Sequence, residues 1–472
     1  MRRYIPLQSR PAENLELVAV PTHPPTLGLW SATALVIGHT IAVGIFLTPA
    51  ELIGAVASPA LTLGLWLGCG VLVLAGALTF GELASRYPRA GGPYIYLREA
   101  WGERIAFLYG WQSLLVMDPG ITAALAAGFS EYVVVLWPAS RGAERWLAIA
   151  VIWTLAALSM AGLRLGARVL SMITLVKVAA FAAVIIVAFG AGRGSWSHYE
   201  PFVARHDTGI PMGEAIALGL VSVFFSFGGF WEASRMAGEV RDAPRIMPVA
   251  LTLGVTCVTL VYLAMTAAFI YLVPAQQATS AAEFARHAGE AMLGRAGPAV
   301  FAAIVVVSIL ASALALLIMA PRVYVAMTAD GVFPSALATV NSATSPARAT
   351  ALLALIASVF VSVATFQQIV AFFMCTSLGF VALAAAALLV VRRRTPDAPA
   401  FRAPGYPVST ALFVALVLGV VTLLAINRPL QAIAGFGIVL LGLPAHRLLA
   451  RHRTHAGPEI LAGQRSPSRP SV

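Results

Sequence analysis

The sequence predicts an all-α membrane protein of about twelve transmembrane helices. It is read as two five-helix inverted repeats, each opening with a discontinuous helix (the first and the sixth), followed by two further helices. Three observations carry that expectation: an apolar composition, long apolar runs separated by arginine-bearing loops, and glycine-rich interruptions in two runs that lie five apart.

Composition sets the solvent. Of 472 residues, 59% are hydrophobic and 11% charged, and the mean hydropathy is +0.86. A chain of that balance has lipid as its main solvent. A helix needs ~20 apolar residues to cross ~30 Å of hydrocarbon. Runs of that kind fall at 28–53, 59–82, 104–136, 145–161, 167–190, 213–237, 247–273, 298–325, 349–364, 366–391, 408–425 and 429–447. The third is longer than one crossing requires, so part of it is expected at the interface. The first 26 residues are polar and proline-rich and lack the apolar core of a cleavable signal, so the first span is expected to be its own insertion signal.

Charge sets the orientation. A net charge of +11 on a soluble chain would suggest nucleic acid. Here the arginines flank apolar runs, so the expected surroundings are a lipid bilayer and no nucleic acid. With a cytoplasmic N-terminus, 23 arginines fall on inner segments and 7 on outer ones, which predicts a multi-pass protein of the cytoplasmic membrane with both termini inside. The remaining basic residue is Lys177, in the middle of the fifth span and the only lysine of the chain. Cys69, Cys257 and Cys375 lie in apolar runs with no metal or disulfide spacing and read as packing residues; no cofactor or metal is expected.

Residues 1–27 form a cytoplasmic N-terminal segment, 28–190 the first repeat (helices 1–5) and 191–391 the second (helices 6–10). Residues 392–447 comprise a cytoplasmic loop and helices 11–12. Residues 448–472 are a polar tail read as disordered. AEFARHAGEAMLGRAG at 282–297 has helical periodicity and is expected to lie over the outer mouth, and RRRTPDAPAFRAPGYP at 392–407 reads as an irregular loop.

The interruptions are GHTIAVGIF (Gly38 to Phe46) in the first run and FFSFGGFWE (Phe224 to Glu232) in the sixth. Glycine weakens a helix by ~1 kcal/mol against alanine. A broken helix in lipid leaves amides and carbonyls that only protein or a watery cavity can satisfy. Small residues also serve close helix packing. Two breaks five spans apart instead fit inverted repeats whose first helices unwind at mid-membrane, where a small molecule binds. Amides opening a half-helix attract a carboxylate and carbonyls closing one attract an ammonium, so a zwitterion matches.

These stretches resemble the amino acid–polyamine–organocation superfamily, in particular bacterial amino acid permeases related to the light subunits of heteromeric amino acid transporters. GHTIAVGIFLTP, GELASRYPRAGGPYIYLREAWG (81–102), GLRLGARVLSMITLVKV (162–178), FFSFGGFWEASRMAGEVRDAPRIMP (224–248) and APRVYVAMTADGVFPSALA (320–338) carry the likeness, over roughly residues 28–447. The resemblance implies a secondary transporter for an amino acid or related small amine or carboxylate, working as exchanger or proton-coupled symporter. It places carboxylate-binding amides on Ala42, Val43 and Gly44, and amine-binding carbonyls on Thr40, Phe225 and Gly228, with Phe225 also at a gating position. Ala42-Val43-Gly44 stands where Gly-Ser-Gly is commoner, so methyl groups crowd the carboxylate site.

Charged groups at membrane depth cost at least ~2.5 kcal/mol, so each calls for a reading. By resemblance, Lys177 occupies the place of a sodium ion and holds carbonyls near Gly38, either as a gating group or as a structural tie; lysine suits proton loss where arginine does not. His39, which departs from the family pattern, is read as a pH sensor, a substrate contact or a hydrogen-bonding support for the turn. Asp118 beside Pro119 is a proton site, a partner for a buried cation or a polar residue at a kink. Glu232 faces either the cavity or the far side of the sixth helix. Ser308 and Ser312 default to helix packing. Glu82 and Glu239 with Arg86, Arg89, Arg241 and Arg245 are either an inner gate or solvated loop charges. A transporter-derived sensor and a channel are the rival classes. The pattern G-x-x-x-x-G-K-[ST] is absent and no nucleophile–base spacing occurs, so neither ATP coupling nor an enzyme is expected. The sequence names neither the substrate nor a partner subunit.

Overall fold

The computed structural model describes residues 25–455 except 43, 191, 204–210, 275–280, 338–339, 341–344, 365, 396 and 428. Val43 and the 456–472 part of the tail lie outside the described residues. The described chain is helical, and its one β feature is a bridge between Leu27 and Val240.

The first apolar run divides into α1 (Leu29–Thr40) and α2 (Gly44–Val56). Next is α3 (Pro59–Arg86), capped by the Ser58 hydroxyl, then the short α4 (Pro93–Trp101). The long third run, α5 (Glu103–Gln112) and α6 (Asp118–Leu136), is joined by a π-helical turn at Ser113–Met117. It is one continuous helical stretch, and the extra residue per turn in the π segment re-aims its side chains. α7 (Glu144–Met160) and α8 (Leu163–Gly190) follow.

The sixth run opens as α9 (Met212–Ser226) and continues as a 3₁₀ segment, Phe230–Glu239. Ten residues of 3₁₀ geometry are uncommon, since such runs seldom exceed three or four. Then come α10 (Ala243–Leu272), α11 (Ala281–Leu293), α12 (Gly297–Met319) and α13 (Pro321–Ala329). The chain ends with α14 (Ala347–Val363), α15 (Phe366–Arg394), α16 (Val408–Asn427) and α17 (Pro429–His455). The expected surface helix at 282–297 corresponds to α11, which packs on α12 and α2. Of the expected loop at 392–407, Arg392–Arg394 still belong to α15.

Among the described residues, nine helical stretches are long and apolar enough to cross a membrane. The other three expected spans are not among these stretches. The first is cut in two, and α7 and α14 have 17 residues each, a rise of about 26 Å at 1.5 Å per residue, near the lower limit for a crossing. α1 packs on α8, α10 and α12, and the 3₁₀ segment on α1, α3 and α10, so both breaks are enclosed by other helices. That enclosure is what lets broken backbone persist in lipid.

Candidate functional site

The first break frees backbone carbonyls, and side chains from three neighbouring helices claim them. Lys177 of α8 donates from Nζ to the Gly38 carbonyl at 3.0 Å and to the Ile41 carbonyl. The Ser312 hydroxyl of α12 lies 2.8 and 3.0 Å from the same two oxygens. Ser312, which the sequence gives to helix packing, therefore shares the clamp with Lys177; Ser308 does not, and its hydroxyl has no partner among the described residues. The Tyr262 hydroxyl of α10 lies 3.0 Å from the Thr40 carbonyl and 2.9 Å from the Ser226 carbonyl, so one group bridges the ends of α1 and α9. Its ring is wedged between Trp66 and Phe227, with centroids 5.0 and 5.3 Å away.

The two breaks also touch directly. A Cβ on Gly44 would stand 2.9 Å from the Cα of Ser226, so glycine is what allows α2 to begin there. Gly229 has φ 102°, in the left-handed region that glycine tolerates, and the His39 ring occupies the place of its missing side chain. His39 Nδ1 lies 3.2 Å from the Ser312 carbonyl. A carbonyl only accepts, so this contact puts the ring proton on Nδ1 and leaves Nε2 as an acceptor on the side of the second break.

Between the breaks lies a cavity of about 100 Å³. His39, Thr40, Ala42 and Gly44 line it from the first break, and Phe225, Gly228, Gly229, Trp231 and Glu232 from the second. Met117, Ile121, Ala124 and Leu125 close one wall, and Phe373, Met374, Ser377 and Leu378 of α15 another. The start of α2 faces this space, and a helix start is an anion-attracting end. The Thr40 carbonyl accepts from Tyr262 and the Phe225 carbonyl from the Gly228 amide at 2.9 Å; each keeps a second lone pair. The Thr40 hydroxyl has no partner among the described residues.

The residues singled out in the sequence thus divide. His39, Thr40, Ala42, Gly44, Phe225, Gly228 and Glu232 meet at the cavity. Gly38 and Lys177 stand behind its first-break wall. Asp118 is held one layer away, and Val43 lies outside the described residues.

Asp118 belongs to a buried ionic cluster whose centre is Arg235. Arg235 Nη1 donates to Asp118 Oδ1 at 2.9 Å and Nη2 to the Tyr109 hydroxyl at 2.7 Å. The Tyr324 hydroxyl donates to Asp118 Oδ2 at 2.6 Å. Glu232 Oε2 approaches Arg235 Nε at 2.5 Å, off the line of a hydrogen bond, while Oε1 accepts from Trp231 Nε1 at 2.7 Å. Arg235, one of the arginines the sequence counts on inner segments, is 0% exposed in the structure, because two carboxylates and the Tyr109 hydroxyl replace the water it gives up. The signal for it was the three-residue spacing of Glu232 and Arg235 beside a break, together with an acid inside the third run.

Of the charges read as a gate or as solvated loops, Glu82, Arg86, Glu239 and Arg245 have ion-pair partners. Glu82 is fully buried and takes Arg86 at 3.0 Å, Arg392 and the Ala403 amide. Glu239 faces Arg322 at 3.9 Å. Arg245 pairs with the exposed Asp242 at 3.6 Å. Nearby, Arg98 pairs with Asp330; burial alone would lower its pKa, and the adjacent carboxylate more than offsets that and raises it. No group of three potential metal ligands occurs among the described residues.

Residues 27–441 match the family model described as amino acid permease. The chain is 28% identical over 302 residues to the serine/threonine exchanger SteT of Bacillus subtilis, covering 64% of this chain and 67% of that protein. It is 28% identical over 441 residues to the human large neutral amino acids transporter small subunit 2, covering 89% and 80%. It is 30% identical over 249 residues to the mouse b(0,+)-type amino acid transporter 1; that match spans 52% of this chain and 50% of the mouse protein, so about half the length of that relative is covered.

Proposed function

Since the chain belongs to the amino acid permease family, we propose that this multi-pass membrane protein carries an amino acid, or a related small amine or carboxylate, across the cytoplasmic membrane by alternating access. The observation that carries the reading is the cavity walled by both helix breaks. A substrate carboxylate would take the amides at the start of α2, beside Ala42 and Gly44. Its ammonium would take the remaining lone pairs of Thr40, Phe225 and Gly228. Its side chain would lie toward Met117, Ile121, Leu125, Phe373 and Leu378, an apolar wall that favours a neutral side chain. Relatives named for serine/threonine exchange and for large neutral amino acids support the same class.

In this reading residues 28–190 and 191–391 are the two repeats, and the termini are cytoplasmic. Lys177 acts as the latch of the first break: while its ammonium and Ser312 hold Gly38 and Ile41, the end of α1 stays fixed to α8 and α12. Movement of α1 between outward and inward states then requires that clamp to loosen.

The test is a thermal-shift screen of the purified protein against amino acids, amines and small carboxylates, then uptake of the hits into proteoliposomes. A ligand stabilises the state it binds. Stabilisation by neutral amino acids with saturable uptake supports the reading. Binding without flux would indicate a sensor, and flux without saturation a channel.

A further inference from the structure

We propose that the corner between α4 and α5, together with the arginine end of α15, binds the headgroup of an anionic phospholipid from the adjoining leaflet. The inference needs only that the chain spans a membrane, and it goes beyond the transport reading.

The corner is built against one stripe of α15. Leu383, Ala386, Val390 and Arg394 recur at spacings of three, four and four residues, so they share one helix face. That face is apolar and open. Leu383 is 39% exposed, and Ala386 and Val390 are half-buried. Trp101, the last residue of α4, is 41% exposed and donates from Nε1 to the Leu383 carbonyl at 3.1 Å. Arg394 Nη1 donates to the Ala100 and Glu99 carbonyls at 3.1 and 3.3 Å, so the end of α15 is tied to the end of α4. Gly102, with φ 91°, turns the chain into α5, and Arg104 follows in the first turn of that helix. α17 packs on α5 beside the corner, with His446 3.2 Å from Glu103 and its ring against Phe107.

The charges at this corner do not cancel. Arg104, Arg393 and Arg394 are exposed, and none has a carboxylate partner among the described residues. The two acids close by are engaged elsewhere, Glu99 with Arg98 at 3.2 Å and Glu103 with His446. The carbonyls that hold Arg394 satisfy N–H groups without neutralising the guanidinium. Arg392, one residue before Arg393, shows the contrast: it is paired with the buried Glu82.

Two properties select the ligand. Guanidinium groups pair with phosphate oxygens in a fork geometry, so the head is an anion. The open stripe running down from Arg394 takes an apolar body, and the Trp101 ring beside it suits the level where hydrocarbon meets headgroups. A phospholipid of net negative charge has both parts. A zwitterionic one brings a further cation among three, and a soluble phosphate leaves the stripe bare. Basic clusters at a membrane boundary draw anionic lipid for the same reason. The other end of α4 bears on the second break, because the Gly91 amide donates to the Arg235 carbonyl at 3.0 Å. A headgroup held at Arg394 therefore steadies the helix that backs that break.

The test follows the melting temperature of the purified full chain in detergent while dioleoyl phosphatidylglycerol is titrated in. Parallel samples receive dioleoyl phosphatidylcholine or inorganic phosphate. The expected result is a saturable rise with phosphatidylglycerol alone, since a ligand stabilises the state it binds. Arg104→Gln/Arg393→Gln should lose that rise. Arg164→Gln/Arg168→Gln, which removes the same charge from exposed positions at the start of α8, should keep it. An equal rise with phosphatidylcholine overturns the inference by removing headgroup recognition. An equal rise with inorganic phosphate overturns it in favour of a soluble anion. Equal loss in both double variants would assign the effect to the charge of the whole face and overturns it too, as does no rise with phosphatidylglycerol. None of these outcomes bears on the transport reading, which is measured as uptake. Should Arg104→Gln/Arg393→Gln fail to fold, native mass spectrometry of the single variants decides. Arg104→Gln and Arg393→Gln should each retain fewer phosphatidylglycerol molecules than the wild type, and Arg164→Gln as many; equal retention in all of them overturns the site.

Discussion

Lys177 is the residue on which the first break depends. Its Nζ satisfies two carbonyls that the end of α1 exposes, and the side chain is fully buried. Lys177→Ala should therefore cut the initial rate of proteoliposome uptake strongly, and wild-type flux would refute the latch. Lys177→Arg should not rescue it, because a planar guanidinium cannot replace a compact ammonium between Gly38, Ile41 and Ser312. Ala42→Gly removes a methyl group from the carboxylate end of the cavity and should broaden the set of amino acids that shift the melting temperature; an unchanged set would show that the methyl does not crowd the site. Lys177 stood out in the sequence because it is the only lysine and lies mid-span. Tyr262 did not, and Ser312 was read as packing, since a tyrosine or serine in an apolar run looks the same whether it packs or holds a carbonyl. Only their partners, 222 and 274 positions away in sequence, distinguish the two.

At the scale of elements, the glycine-marked breaks were legible because glycine is unfavourable inside a helix whatever surrounds it. The backbone beyond the second break was not. The 3₁₀ geometry of Phe230–Glu239 depends on tertiary partners, and hydropathy reads an arginine after an apolar run as a flank rather than as the centre of a buried cluster. The cluster makes a stability prediction. Arg235→Met leaves Asp118 and Glu232 buried without their cation and should cost about 3–5 kcal/mol, seen as a large fall in the detergent melting temperature. Replacing Arg235, Asp118 and Glu232 together by apolar residues should cost less than Arg235→Met alone, because no buried charge is left unpaired. A triple variant less stable than the single one would show that charge balance is not what holds the cluster.

At the scale of the molecule, twelve apolar runs correspond to helices, and the three that fall short of a full crossing do so through one break and two lengths of 17 residues. Orientation rests on the arginine asymmetry and is open to direct measurement. A cysteine placed at Ser197 should react with a membrane-impermeant maleimide on intact cells, and one at Arg402 only after permeabilisation; the reverse pattern would invert the topology. The central claim is that an amino acid passes through the cavity between the two breaks. Its most direct test is counterflow of a labelled neutral amino acid into proteoliposomes preloaded with the same compound, comparing the wild type with Leu125→Trp, which fills the cavity of about 100 Å³ from the α6 wall without touching Lys177. Saturable counterflow is predicted in the wild type, and its loss in Leu125→Trp protein that still folds. Undiminished counterflow in that variant would contradict passage through this cavity.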